Sequence, residues 1–200
     1  LISLAERSGC RLLVDETYRD MSFVPKLPVA ATLSPQAISV SSVSKSYGIP
    51  GVRVGWLVNR DAALMERLLA AKEQIGICGG IVDEAVADAA LAARDAWLET
   101  TMARLEKGLA AVERWIAGES NLEWVKPTGG CVCFPRIKAE AGVNVDRFYA
   151  ELDAQAVAVG PGHWFEMDRR FMRIGFGYPG ESELAGGLAA VSAALRAAKS

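Results

Sequence analysis

Ser42-Val43-Ser44-Lys45-Ser46-Tyr47-Gly48-Ile49-Pro50-Gly51-Val52-Arg53-Val54-Gly55 is the stretch on which the reading of this chain turns. An apolar run, Ala37 to Ser41, leads into it and reads as a buried strand; Arg53 to Val58 reads as a second. Between them two hydroxyls and a lysine crowd together, and three glycines punctuate the rest. Hydroxyls, the backbone N–H groups of a Gly-rich loop and an arginine together make a phosphate site. A lysine beside such a site has a second use, because an uncharged amine condenses with an aldehyde to a Schiff base. Taken alone, Lys45 reads better as a solvated lysine in a Ser/Gly loop.

Upstream, residues 2–7 read as the end of a helix, Gly9 as its stop, and Arg11 to Asp15 as another buried strand. Asp15 stands at the carboxyl end of that strand, the edge at which open α/β sheets bind ligands, and Tyr18 follows in Asp15-Glu16-Thr17-Tyr18. Downstream, helices are expected at about 61–74 and 82–94. Leu98, Met102, Leu105, Leu109, Val112 and Ile116 recur at steps of three and four, so they line one face of a long helix. Shorter elements follow: strands at 122–125 and 131–134 joined by a turn at Pro127-Thr128-Gly129-Gly130, a helix capped by Asn144, strands at 156–159 and 170–176, and a last helix carrying Leu184, Leu188, Val191 and Leu195. The order is α/β, then a smaller α+β unit.

Composition narrows the chemistry. A 51% hydrophobic share with 23% charged residues is that of a chain with a substantial core, and a formal net charge of −2 offers no attraction to nucleic acid or an anionic membrane. No apolar run is long enough to span a bilayer. Cys10, Cys78, Cys131 and Cys133 match no zinc spacing and are expected as reduced thiols. The only histidine is His163, so chemistry falls to a cofactor or to lysine and carboxylates.

Residues 42–55 resemble the S-x-S-K-x-x-G-x-x-G-x-R-x-G signature of class I/II aminotransferases, with every fixed position present. The resemblance implies the C-terminal part of a fold type I large domain (a mixed, mostly parallel sheet) over residues 1–105 and a small α+β domain over 106–200. It implies pyridoxal 5′-phosphate (PLP) as cofactor, with Lys45 holding it as a Schiff base, Ser42 and Arg53 binding its phosphate, and Ser44 contributing as part of the motif. Asp15 would face the pyridine nitrogen and Tyr18 the ring's phenolic oxygen. In Phe171-Met172-Arg173-Ile174-Gly175-Phe176, an arginine set among apolar strand residues would be costly to bury unpaired; by resemblance Arg173 grips the substrate α-carboxylate. Pro127 to Phe134 resembles a family turn that lines the substrate side, although Gly129 and Gly130 read equally as hairpin glycines. His163 is expected at the active-site rim with a surface role, and Arg169 and Arg170 as solvated.

The implied activity is transamination between an amino acid and a 2-keto acid, in a cytoplasmic homodimer with no nucleic-acid or membrane partner. A C–S lyase or decarboxylase on the same fold, or the effector domain of a transcription regulator, remains open, because fold does not settle chemistry. The family's first half, with a further phosphate loop and the aromatic that stacks on the cofactor, has no counterpart here. The natural chain is therefore expected to extend upstream, and the 200 residues alone to be inactive.

Overall fold

A computed structural model describes residues 1–199 and divides the chain into two units, Leu1–Met102 and the residues from Ala103 onward. In the first unit, helix α1 (Ile2–Ser8) stops at Gly9, whose φ of 65° is a left-handed cap that glycine adopts without strain. Strand β1 (Leu12–Asp15) follows, then the short helix α2 (Ala30–Leu33) and strand β2 (Ala37–Ser42). Strand β3 (Gly55–Val58) completes a three-stranded sheet of order β1-β2-β3. The β1–β2 pair is parallel, with Asp15 opposite Val40, and β2–β3 is antiparallel, with Ser42 opposite Gly55. This strand starts two residues later than its sequence pattern suggests, because Arg53 takes a left-handed φ of 56° at the end of a 3-10 turn over Pro50–Val52. Helices α3 (Ala62–Ile75, capped by the Asp61 carboxylate) and α4 (Ile81–Ala92) lie where their periodicity put them.

Helix α5 (Arg94–Ala117) carries the boundary between the units. Its expected face is real: Leu98, Leu105, Leu109, Val112 and Ile116 are all buried. In the second unit come strands β4 (Leu122–Glu123), β5 (Val132–Cys133) and β6 (Arg136–Ile137). Helix α6 (Val145–Ala154) begins at Asn144, whose side chain accepts the Arg147 N–H. Strands β7 (Gly160–Pro161) and β8 (Met172–Gly175) and helix α7 (Glu181–Ala197) finish the unit. Phe148, Leu152, Met172, Phe176, Val191 and Leu195 are essentially inaccessible there. Each such side chain contributes about 1.5–3 kcal/mol by leaving water.

Three expectations are corrected. The segments at 122–125 and 131–134 do not form a hairpin: β4 pairs with β6, and β5 pairs with β8. Their paired stretches are only two residues long, so tertiary packing chooses the partner rather than the intervening turn. Residues 156–159 are not a strand; Ala156 sits at φ 53°, which breaks an extended run, and pairing begins only at Gly160. Arg173 is not buried. The strand alternates, so Met172 and Ile174 point inward while Arg173 and Gly175 face out. No helix among the described residues is long and apolar enough to cross a membrane.

Candidate active site

Strand direction collects the candidate residues of the first unit. Parallel pairing sets the carboxyl ends of β1 and β2 side by side, which brings Asp15 and Ser42 to one edge of the sheet. The antiparallel β3 starts at that same edge, so Arg53, two residues before it, arrives there as well. The loop bearing Ser44 and Lys45 leaves β2 at this point. Val43 N–H donates to Val54 O at 3.2 Å and Gly48 N–H to Lys45 O at 3.0 Å, closing the loop on itself.

The loop rests on a small apolar core. Val43 and Tyr47 are buried with Ala87, Ala90 and Leu98, and Ile49, Val52, Val54 and Leu91 pack around them. The Trp97 indole N–H donates to Tyr47 O at 2.8 Å. Side chains before and after Lys45 thus point into the core while Lys45 itself is exposed. A second tie joins the loop to the aspartate: the hydroxyl of Ser46, a residue only 3% exposed, donates to Thr17 O at 3.1 Å. Nothing local in the sequence points to Ser46 or Thr17, because the bond spans 29 positions.

Around this edge the polar groups have defined states. Asp15 accepts from the Thr17 hydroxyl and from the Thr17 N–H at 2.9 Å, and these bonds hold its carboxyl below the usual range, the hydroxyl contributing most. Asp15 has no cationic side chain against it among the described residues. Lys45 makes no ion pair or hydrogen bond through its amine there; Nζ lies 5.9 Å from the Tyr18 ring centroid. Ser42 Oγ accepts the Ser44 N–H at 3.3 Å and keeps its own proton available. Arg53 donates through Nη1 to Pro50 O at 2.8 Å, leaving its other N–H groups unspent. A charged carboxylate, an unpaired amine, a hydroxyl and a part-used guanidinium therefore share one sheet edge. Arg173 lies in the other unit, on β8, with its guanidinium carbon 4.7 Å from the Phe165 ring centroid and no ionic partner among the described residues. His163 is exposed in the short turn Gly162–Phe165. Arg169 pairs with Asp146, and Arg170 lies 3.6 Å from Asp168.

Residues 1–185 match the family described as "Aminotransferase class I and II". Capreomycidine synthase of Streptomyces vinaceus is 32% identical over 198 residues, which are 98% of this chain and 50% of that protein. Aspartate aminotransferase of Thermococcus kodakarensis is 27% identical over 87% of this chain and 45% of its own length. A PLP-dependent aminotransferase from Streptococcus suis superposes with a TM-score of 0.90 at 30% identity, over 100% of this chain and 52% of that one. The chain spans about half the length of the curated relatives it matches. Fold and comparisons together give the fold type I class, that of PLP-dependent aminotransferases. The chain belongs to the class I and II aminotransferase family.

The family's cofactor is PLP, and the residues at the sheet edge fit it. An aldehyde requires an amine that no carboxylate has already claimed, which Lys45 offers. A pyridinium nitrogen requires a carboxylate, which Asp15 presents with its orientation fixed by the Thr17 hydroxyl and N–H. A phosphate requires several donors, which the Ser42 hydroxyl and the remaining N–H groups of Arg53 supply.

Proposed function

We propose that the protein transfers an amino group between an amino acid and a 2-keto acid, with Lys45 as the residue that holds PLP and moves the proton. The observation that carries this reading is the convergence of Asp15, Tyr18, Ser42, Ser44, Lys45 and Arg53 on one edge of the sheet, joined by the Ser46–Thr17 bond. PLP, when bound, supplies an aldehyde for Schiff-base formation and a ring that accepts the electron pair released at the substrate Cα. Lys45 Nζ acts as base toward the Cα proton and as acid when that proton is returned. Asp15 keeps a negative charge against the ring nitrogen, and the Tyr18 hydroxyl donates to the phenolic oxygen. Ser42, Ser44 and Arg53 bind the phosphate, and Arg173 takes the substrate α-carboxylate through paired N–H groups. Homodimerisation of the intact protein is part of the same reading.

A second reading is favoured by the name of the 32% identical relative, a capreomycidine synthase: a different PLP reaction on the same residues. The intact protein, loaded with PLP and given a panel of amino acids with 2-oxoglutarate, separates the two. Stoichiometric formation of glutamate and a new 2-keto acid is the expected result. Consumption of an amino acid with no amination of 2-oxoglutarate would remove the transaminase reading and leave the second.

A further inference from the structure

Arg173 leaves β8 directly opposite Gly160 of β7. A Cβ at Gly160 would come within 3.3 Å of both Arg173 Cβ and Phe165 Cε2, and within 3.5 Å of Arg173 Nε. The bare glycine is therefore the space through which the arginine stem crosses β7 to reach the aromatic ring. Phe165 also meets Phe134, edge-on at 5.5 Å, which in turn stacks on Phe171 at 5.2 Å. The loop that carries Phe165 is closed by Gly162 N–H to Phe171 O at 2.8 Å and Met167 N–H to Gly162 O at 3.1 Å. It turns at Glu166, a non-glycine residue in the left-handed region at φ 59°. Yet Phe165 remains 37% exposed, so it is not a core side chain whose placement burial explains.

We propose that Gly160 and Phe165 form a positioning pair for Arg173, aiming its guanidinium at the carboxylate of an amino or 2-keto acid substrate. The inference rests on the reading of Arg173 as the carboxylate anchor. A guanidinium carries its five N–H donors in its own plane, so an attraction to a ring face consumes none of them. Ring contact restricts the long side chain while the N–H fork stays free for a bidentate carboxylate. Phe165 is thus a positioning residue, acting through Arg173 rather than on the substrate.

The test uses the intact PLP-loaded protein and compares Phe165→Leu, Phe165→Tyr, Gly160→Ala and Arg173→Ala. The readouts are KM and kcat, and the dissociation constant for butyrate, a carboxylate with no amine to react. Phe165→Leu is expected to raise KM and the butyrate constant together, about two- to fivefold, the scale of a cation–π contact at an exposed site, with kcat and PLP content unchanged. Phe165→Tyr, which keeps the ring, is expected to restore both. Gly160→Ala is expected to weaken both with the ring present. Phe165→Met, similar in size and without a ring face, replaces Phe165→Leu should that variant melt early. Unchanged KM and butyrate binding in the Leu or Met variant, while Arg173→Ala weakens both, would overturn the positioning pair and leave the anchor standing. Unchanged binding in Arg173→Ala would overturn the anchor itself and the pair with it.

Discussion

Ser46→Ala removes a side-chain bond between the lysine loop and the turn that orients Asp15. In the structure Ser46 is only 3% exposed and its hydroxyl donates to Thr17 O at 3.1 Å. Alanine leaves the Thr17 carbonyl without that donor, at a cost of about 0.5–1.5 kcal/mol, and up to about 3 kcal/mol if no water reaches it. For a chain of this size each kcal/mol lowers Tm by about 2–4 °C, so a fall of a few degrees is expected by calorimetry. Cofactor binding should weaken as well, because the bond keeps Lys45 and Asp15 in a common frame. A loss of about 1 kcal/mol corresponds to roughly a fivefold rise in the dissociation constant for PLP, read by absorbance titration of the intact protein. Ser44→Ala is the control for stability, since the Ser44 hydroxyl makes no hydrogen bond among the described residues. If Ser46→Ala left both Tm and PLP affinity at the wild-type values, the two sides of the sheet edge would not be coupled through this bond.

Thr17→Val should raise the pKa of Asp15, since the hydroxyl is the larger cause of its depression. A carboxyl held low in the folded state adds stability above its unfolded pKa and loses it as pH falls through the folded pKa; the wild-type advantage over Thr17→Val should therefore shrink in acid, which paired denaturation curves at pH 7 and pH 3 would check. Gly162→Ala places a Cβ 2.0 Å from Asp168 O and 3.0 Å from Phe171 Cβ, so a loss of about 1–3 kcal/mol or more is expected in urea unfolding. Gly186→Ala, in mid-helix with nothing within 4 Å, should instead gain about 0.5–1 kcal/mol. Burial pushes the Cys133 thiol up to about 12, so native alkylation at pH 8 should label exposed Cys10 well before Cys133, as peptide mapping would report.

The sheet edge was legible in the sequence because its residues are local to strand ends: an apolar run followed by Asp15, another followed by Ser42-Val43-Ser44-Lys45, and Arg53 just before the third. Likewise α5 declared itself by three- and four-residue spacing over more than five turns. What escaped depended on long-range pairing or on backbone conformation. The Ser46–Thr17 bond joins two loops with no common motif. Strand β5 pairs with β8 some forty residues on, a choice that two-residue strands do not encode locally. Ala156 at φ 53° interrupts Ala156-Val157-Ala158-Val159 although its composition favours extension. The exposure of Arg173 was available from period-two alternation, since Met172, Ile174 and Phe176 claim the inner face. Its contact with Phe165 across Gly160 was not, because only the β7–β8 register brings those residues together.

The proposed chemistry stands or falls on whether Lys45 carries the cofactor. Its most direct test is borohydride reduction of the intact protein with PLP, followed by proteolysis and mass spectrometry of the pyridoxyl-labelled peptide. A single stoichiometric label on Lys45 is expected, abolished in Lys45→Ala, with the visible absorbance of the Schiff base lost on reduction. A label on Lys72, Lys107 or any other lysine, or an undiminished label in the Lys45→Ala protein, would contradict it.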